Sequence, residues 1–367
     1  MKRNIFVTKP FLPKLEEFVP YLERIWDNQW LTNNGPFHQK FESELCKYLG
    51  VKHISVFCNG TIALLVAIKA LELKGEIITT PYSFVATSHA IKWNNIDPVF
   101  VDIDSKDCNI NPDLIEKAIS KTTTAILPVH VYGNPCKIGK ISNIAKKYNL
   151  KVIFDSAHAF GVKQNGESIL NFGDLSILSF HATKVFNTFE GGAIISNSSE
   201  MKQKIDDLKN FAFHGEDKIA GLGINGKMNE IQAAMGLLQL KHFENIVKKR
   251  KTIVNLYREE LSQIDGIRFL NDFENVQHNY AYFPIFIDEK QFGKSRDEVY
   301  ETLKENSIFG RRYFYPLISQ IDDYKTIPSS SKENLPQAEK MSQEVICLPI
   351  YPDLVDKDVE KITSLIT

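Results

Sequence analysis

Apolar runs of strand length alternate along this chain with amphipathic runs of helix length, and that alternation narrows the fold more than any other feature. Strands are expected at His53 to Phe57, Glu76 to Thr79, Pro98 to Val101, Ala125 to Val129, Val152 to Phe154, Leu175 to Phe180 and Gly192 to Ser196. Helices are expected at Lys40 to Leu49, Thr61 to Leu73, Pro112 to Ile119, Ile138 to Tyr148 and Glu200 to Asn210. Continuously apolar strands separated by helices read as a mostly parallel sheet wrapped on both faces. A helix-rich stretch follows from Asn229 to Ile264, then a strand-like run from Tyr280 to Ile287 and a helix at Glu298 to Glu305. A chain of 367 residues exceeds one ordinary core. Two domains are expected, a large one at 1–245 and a smaller α/β one at 246–367.

Open α/β sheets gather ligands at the carboxyl ends of their strands. Asp155 stands where the run Val152 to Phe154 gives out, in Asp155-Ser-Ala-His158. A carboxylate buried there wants a cationic partner, although an N-capping role is equally open from the residue alone. Lys184 follows the run Leu175 to Phe180 and precedes Glu190-Gly191-Gly192. A lysine at a strand end, inside a turn punctuated by glycine, suits a Schiff-base nucleophile, because burial can free its amine. Asn59-Gly60-Thr61 links a strand to a helix start, where free amides and the helix dipole cradle a phosphate. Thr61 adds a hydroxyl there or serves as the N-cap, and Ser179 can add a second hydroxyl. Together these segments suit pyridoxal phosphate, whose enzymes pair a lysine with a carboxylate on the pyridine nitrogen. Neither a Gly-x-x-x-x-Gly-Lys-Ser/Thr loop nor a Gly-x-Gly-x-x-Gly opening is present, which disfavours an NTPase or a dinucleotide enzyme.

The 44 basic and 45 acidic residues nearly cancel, so no cationic excess exists to bind nucleic acid. Five scattered cysteines, with no Cys-x-x-Cys pair, read as reduced core thiols rather than as disulfides or a zinc site. With no apolar leader and no run of membrane-spanning length, a cytoplasmic protein without membrane contact is expected.

Taken together, the segments Ser179-Phe-His-Ala-Thr-Lys184, Glu190-Gly-Gly192, Asp155-Ser-Ala-His158, Asn59-Gly-Thr61 and Gly223-Ile-Asn-Gly-Lys-Met-Asn-Glu230 resemble the DegT/DnrJ/EryC1/StrS sugar aminotransferases. The resemblance is collinear from Trp30-Leu-Thr-Asn-Asn34-Gly-Pro36 to Leu348-Pro-Ile-Tyr-Pro352. It implies the aspartate-aminotransferase-like, type I fold. It also implies pyridoxal 5'-phosphate as cofactor and a homodimer with shared active sites. The implied reaction takes an amino group from L-glutamate to a dTDP-linked keto-6-deoxyhexose, for surface polysaccharide such as the O-antigen of lipopolysaccharide. By the same resemblance Lys184 carries the cofactor and shuttles the proton, Asp155 meets the pyridine nitrogen, and His158 meets the phenolic oxygen. Gly60, Thr61 and Ser179 match the phosphate cradle, and Phe84 matches an aromatic stacked on the ring. Asn225 matches an asparagine that reaches the partner subunit's cofactor. Asn34, Lys227 and Tyr313 are candidates for the substrate, and Arg311 and Arg312, where this chain departs from its relatives, are candidates for the sugar-nucleotide diphosphate.

Judged without the family, Phe84 is ordinary core, Asn225 a turn residue between two glycines, and the paired arginines a solvated surface. Many relatives carry a His at the head of a His-Tyr-Pro-Pro-Leu motif. This chain has Arg311-Arg-Tyr-Phe-Tyr-Pro-Leu317, so a role for that His is not inherited. Glu190-Gly191-Gly192 resembles enzymes that aminate C-4, which favours dTDP-4-keto-6-deoxy-D-glucose over a 3-keto sugar. Two other readings stay open: a sugar dehydratase of the same fold, in which a His replaces the lysine, and a regulator without catalysis. Lys184 speaks against the first, and Lys184, Asp155 and the cradle together against the second.

Overall fold

The computed structural model describes residues 3–367. Its centre is a seven-stranded sheet, numbered here β1 (His53–Phe57), β2 (Glu76–Thr79), β3 (Asp97–Phe100), β4 (Thr123–Ile126), β5 (Lys151–Asp155), β6 (Leu175–Ser179) and β7 (Gly192–Ser196). The spatial order is β1-β7-β6-β5-β4-β2-β3. Six strands run parallel, and β7 lies antiparallel between β1 and β6. The expected mostly parallel sheet is therefore present, with one reversed strand that composition does not disclose. β7 has to pass beneath the turn at Asn59. A Cβ on Gly192 would lie 2.7 Å from the Asn59 carbonyl and from the Gly60 Cα, so glycine alone fits there.

Both faces of the sheet are covered. Val56, Leu178, Ala193 and Ile195 pack against Phe41 and Leu45 of the helix Pro36–Leu49 and against Leu238 of the helix Glu230–Leu261. On the opposite face Phe57, Ile177 and Ile194 meet Ala63, Leu64 and Ala67 of the helix Gly60–Ala70. A helix at Leu15–Asn28, absent from the expected set, also packs on the first face through Phe18 and Ile25. Its interior Pro20 is the kind of residue that argues against a helix when sequence alone is read.

The later part of the chain forms a three-stranded antiparallel sheet from β8 (Ile267–Phe269), β9 (Phe283–Ile287) and β10 (Val345–Leu348), in the order β8-β9-β10. Its own core includes Ile285, Val299, Leu303, Ile346 and Ile362. The helix Glu230–Leu261 serves both cores, giving Phe243 and Ile246 to the first and Ile253 and Tyr257 to the second. The expected divide between residues 245 and 246 falls inside this helix. Among the described residues, no helix is long and apolar enough to cross a membrane.

Candidate active site

At one edge of the seven-stranded sheet the parallel strands β1, β5 and β6 end at Phe57, Asp155 and Ser179, while the reversed β7 begins at Gly192. That edge brings together segments far apart in sequence. The chain turns after β1 into the helix Gly60–Ala70, and the N-cap is Asn59, whose Oδ1 accepts the Ile62 amide at 2.8 Å. Thr61 is thus not the cap. The amides of Gly60 and Thr61, in the first helical turn, are left without an acceptor. Ser179 lies against them: a Cβ built on Gly60 would come within 3.0 Å of the Ser179 Cβ.

A cavity of about 240 Å³ opens at this edge, and Gly60, Thr61, Phe84, Asp155, His158, Ser179, Lys184 and Tyr313 all line it. Eight of the sequence candidates are therefore gathered in one place. Phe84 is 57% exposed, so it is not core; it belongs to the wall. Asp155 is buried and caps no helix. Its Oδ2 accepts the Thr87 hydroxyl at 2.8 Å, and its Oδ1 accepts the Ala157 amide at 3.1 Å. Burial raises its pKa, against the opposing pull of those two donors and of Lys184.

Lys184 is half-buried, its stem bordering the cavity. Its Nζ makes no ion pair among the described residues; Tyr282 Oη lies 3.4 Å away. Burial lowers its pKa to about 8, against the pull of Asp155 and Tyr313. A useful share of free amine therefore exists near neutral pH. His158 is held neutral by its burial, with the Lys184 charge acting the same way. Its Nδ1 accepts the Tyr132 amide at 3.2 Å, so Nε2 carries the proton and can donate it to a ligand. Tyr313 is fixed from behind, because Tyr82 Oη and Tyr132 Oη both donate to its carbonyl.

The other candidates stand outside this cavity in the single chain. Asn34 and Lys227 line a second, more open depression of about 580 Å³. Lys227 Nζ donates to the side-chain oxygens of Asn210 and Asn225 at 2.8 Å each. Asn225 is exposed, in a bridge with Asn210. Arg312 is engaged by Asp297 at 2.7 Å and stacks over Tyr300 and Tyr315 at 4.6 and 4.9 Å. Arg311 is exposed, its backbone paired with Cys347. Thr87, Tyr282 and Phe314 line the cavity but were not singled out from the sequence. Thr87 lies in the same short segment as Phe84, a signal that was there to use. Tyr282 sits at the head of an apolar run and reads as core.

The chain matches the model of the DegT/DnrJ/EryC1/StrS aminotransferase family over residues 14–367. A dTDP-4-amino-4,6-dideoxy-D-glucose transaminase of Shigella dysenteriae is 53% identical over 366 residues, covering 100% of this chain and 99% of that protein. A transaminase of the same name from Escherichia coli is 53% identical over 365 residues, covering 99% and 98%. Among solved structures, DesI in the presence of its TDP-sugar product superposes with a TM-score of 0.95 at 33% identity, covering 100% of this chain and 92% of that one. Sequence and fold agree over the whole length, and the chain belongs to the DegT/DnrJ/EryC1/StrS aminotransferase family.

Proposed function

We propose that the chain is a pyridoxal-phosphate-dependent aminotransferase that moves the amino group of L-glutamate to C-4 of dTDP-4-keto-6-deoxy-D-glucose, giving dTDP-4-amino-4,6-dideoxyglucose. The observation that carries this reading is the meeting of one amine, one buried carboxylate and a pair of free amides around one cavity. The two 53% identical relatives, both transaminases of that named amino sugar, support C-4 over C-3. Surface polysaccharide is the destination this product would serve, and the cytoplasm the compartment.

The residues present fit the cofactor. Asp155 is a buried carboxylate that makes no ion pair among the described residues, as a partner for a protonated ring nitrogen should be. The absent Cβ of Gly60 leaves room for a phosphate on the amides of Gly60 and Thr61, with Ser179 adding its hydroxyl. Phe84 would cover the ring, and His158 Nε2 would donate to the phenolic oxygen. Once bound, the cofactor supplies an electron sink for the carbanion left when an α-proton departs. The Lys184 amine takes that proton from the donor and later returns one to the sugar-bearing partner, a task suited to a base with a pKa near working pH. Asp155, whose two oxygens accept the Thr87 hydroxyl and the Ala157 amide, would meet the positive charge at the ring nitrogen.

The working unit of this reading is a homodimer. Around Asn225 the segment 211–224 exposes Phe211, Phe213, Ile219, Leu222 and Ile224, with Leu222 82% and Ile219 66% exposed. An apolar cluster of that kind on a water-soluble surface asks for a covering partner. A second copy would bring Asn225 and Lys227 to the neighbour's cavity.

The test is amine formation from dTDP-4-keto-6-deoxyglucose and from its 3-keto isomer, with glutamate as donor and the product position read by NMR. Preference for the 3-keto sugar would overturn the position, and no amine from either would overturn the reaction.

A further inference from the structure

Tyr282 precedes β9 and reaches back across the molecule to the Lys184 amine. Its Oη lies 3.4 Å from Nζ, and its ring stands edge-on to His158 with centroids 4.8 Å apart. Two buried polar side chains pin the backbone just before it. Asn279 Nδ2 donates to the carbonyls of His158 at 2.8 Å and Phe160 at 3.0 Å, while its Oδ1 accepts the Ala281 amide at 3.1 Å. Arg250 donates from Nε to the Tyr280 carbonyl and from Nη2 to the Ala281 carbonyl, each at 2.8 Å.

Arg250 is buried and makes no ion pair with any carboxylate among the described residues. A buried guanidinium without a counter-ion is costly, and an apolar residue would fill the space more cheaply. What an apolar residue cannot do is fix two consecutive carbonyls in one plane. Burial brings the Arg250 pKa down to about 10, so it stays protonated and keeps its donors at neutral pH.

We propose that Tyr282 is a positioning residue that holds the Lys184 amine at the cavity, and that Arg250 and Asn279 brace it there. This rests on Lys184 being the proton carrier of the proposed reaction. The groups facing that amine are Asp155 from the end of β5, His158 from the turn after it and Tyr313 from the 311–317 loop. Arg250 stands behind Tyr282. As an ammonium, Lys184 donates to Tyr282 Oη, so the hydroxyl favours the protonated amine, and its loss should lower the pH at which the free amine appears.

The experiment loads pyridoxal phosphate onto cofactor-free protein across pH, follows visible absorbance, and measures turnover in parallel. In Tyr282→Phe the loading midpoint should move down by about half a pH unit or more. The kcat should fall roughly tenfold, with the KM for the keto sugar changed less than about twofold. Arg250→Met should reproduce both changes at smaller size, and Arg250→Lys should restore part of them. A Tyr282→Phe protein with the wild-type midpoint and wild-type kcat would overturn the proposal. If Lys184→Ala gains the same absorbance as wild type, Lys184 does not carry the cofactor, and the reading beneath the proposal fails instead.

Discussion

The cavity has two walls, and they are held by different means. One is made of strand ends: Asp155, Ser179 and the Asn59-Gly60 turn are fixed by the ladders of β1, β5, β6 and β7. The other is made of loop: Tyr282 comes from the irregular residues before β9, and Tyr313 and Phe314 from the loop after the short strand Ile308–Phe309. A ladder positions its residues through backbone bonds that survive most side-chain changes. A loop has no such frame. Here buried side chains replace it, Asn279 and Arg250 for Tyr282, and Tyr82 with Tyr132 for Tyr313. The strand wall can therefore hold groups chosen for chemistry, while the loop wall must spend residues on its own geometry.

This contrast can be broken by experiment, and the largest effect is expected at Lys184. Lys184→Ala should lower turnover by on the order of 10⁴-fold or more while leaving the melting temperature almost unchanged, since its amine makes no ion pair among the described residues. Retained transamination would remove Lys184 from the mechanism. Asp155→Asn comes next, with turnover down roughly 10²–10³-fold. Its cofactor-free protein should be no less stable, because a buried charge has been removed. A clear fall in its melting temperature would mean that the strand wall depends on its side chains after all.

The loop wall should behave in the opposite way. Asn279→Ala strands the buried carbonyls of His158 and Phe160 and should cost about 1–3 kcal/mol of stability by denaturant titration. An unchanged midpoint would contradict the idea that buried side chains hold this wall. The smallest effect is that of pH on cofactor loading. With the Lys184 pKa lowered to about 8, the amine is increasingly protonated below that value and free above it. The loading rate should therefore fall about tenfold per pH unit below 8 and level off above it. A rate still climbing at pH 10 would show an amine with an ordinary lysine pKa.

The same contrast explains what could be read in the sequence. Strand, turn and chemical group are contiguous in Val152 to Asp155 and in Ile54 to Thr61, so local pattern places the group at a sheet edge. The Tyr282 partnership joins residues separated by most of a domain, and nothing near Tyr282 hints at Lys184. Strand bounds differ at β4: Ala125 to Val129 was expected, whereas the continuous strand spans Thr123–Ile126. The run after it stays bonded to the sheet, the Leu127 amide donating to the Ile78 carbonyl of β2 at 2.7 Å and Val129 bridging Asp155 of β5, before the chain turns to Tyr132. Arg311 and Arg312 are candidates for the diphosphate from the sequence, but the Asp297 carboxylate and two tyrosine rings occupy Arg312.

The reversed strand β7 also sets an order of events during synthesis. β1 has no neighbour in the sheet except β7. From the time His53–Phe57 leaves the ribosome until Gly192–Ser196 follows, its backbone has no ladder to join. An unpaired apolar edge of that kind invites pairing with other chains. Closing it is a long-range event, which slows folding. The anion cradle at Gly60 and Thr61 is completed by the same closure, because Ser179 reaches it through β6 and β7. A nascent chain thus has an unpaired apolar strand and the proposed cofactor seat waiting on one late pairing, and cofactor supplied during synthesis should raise the yield of folded protein by capturing the sheet as it closes.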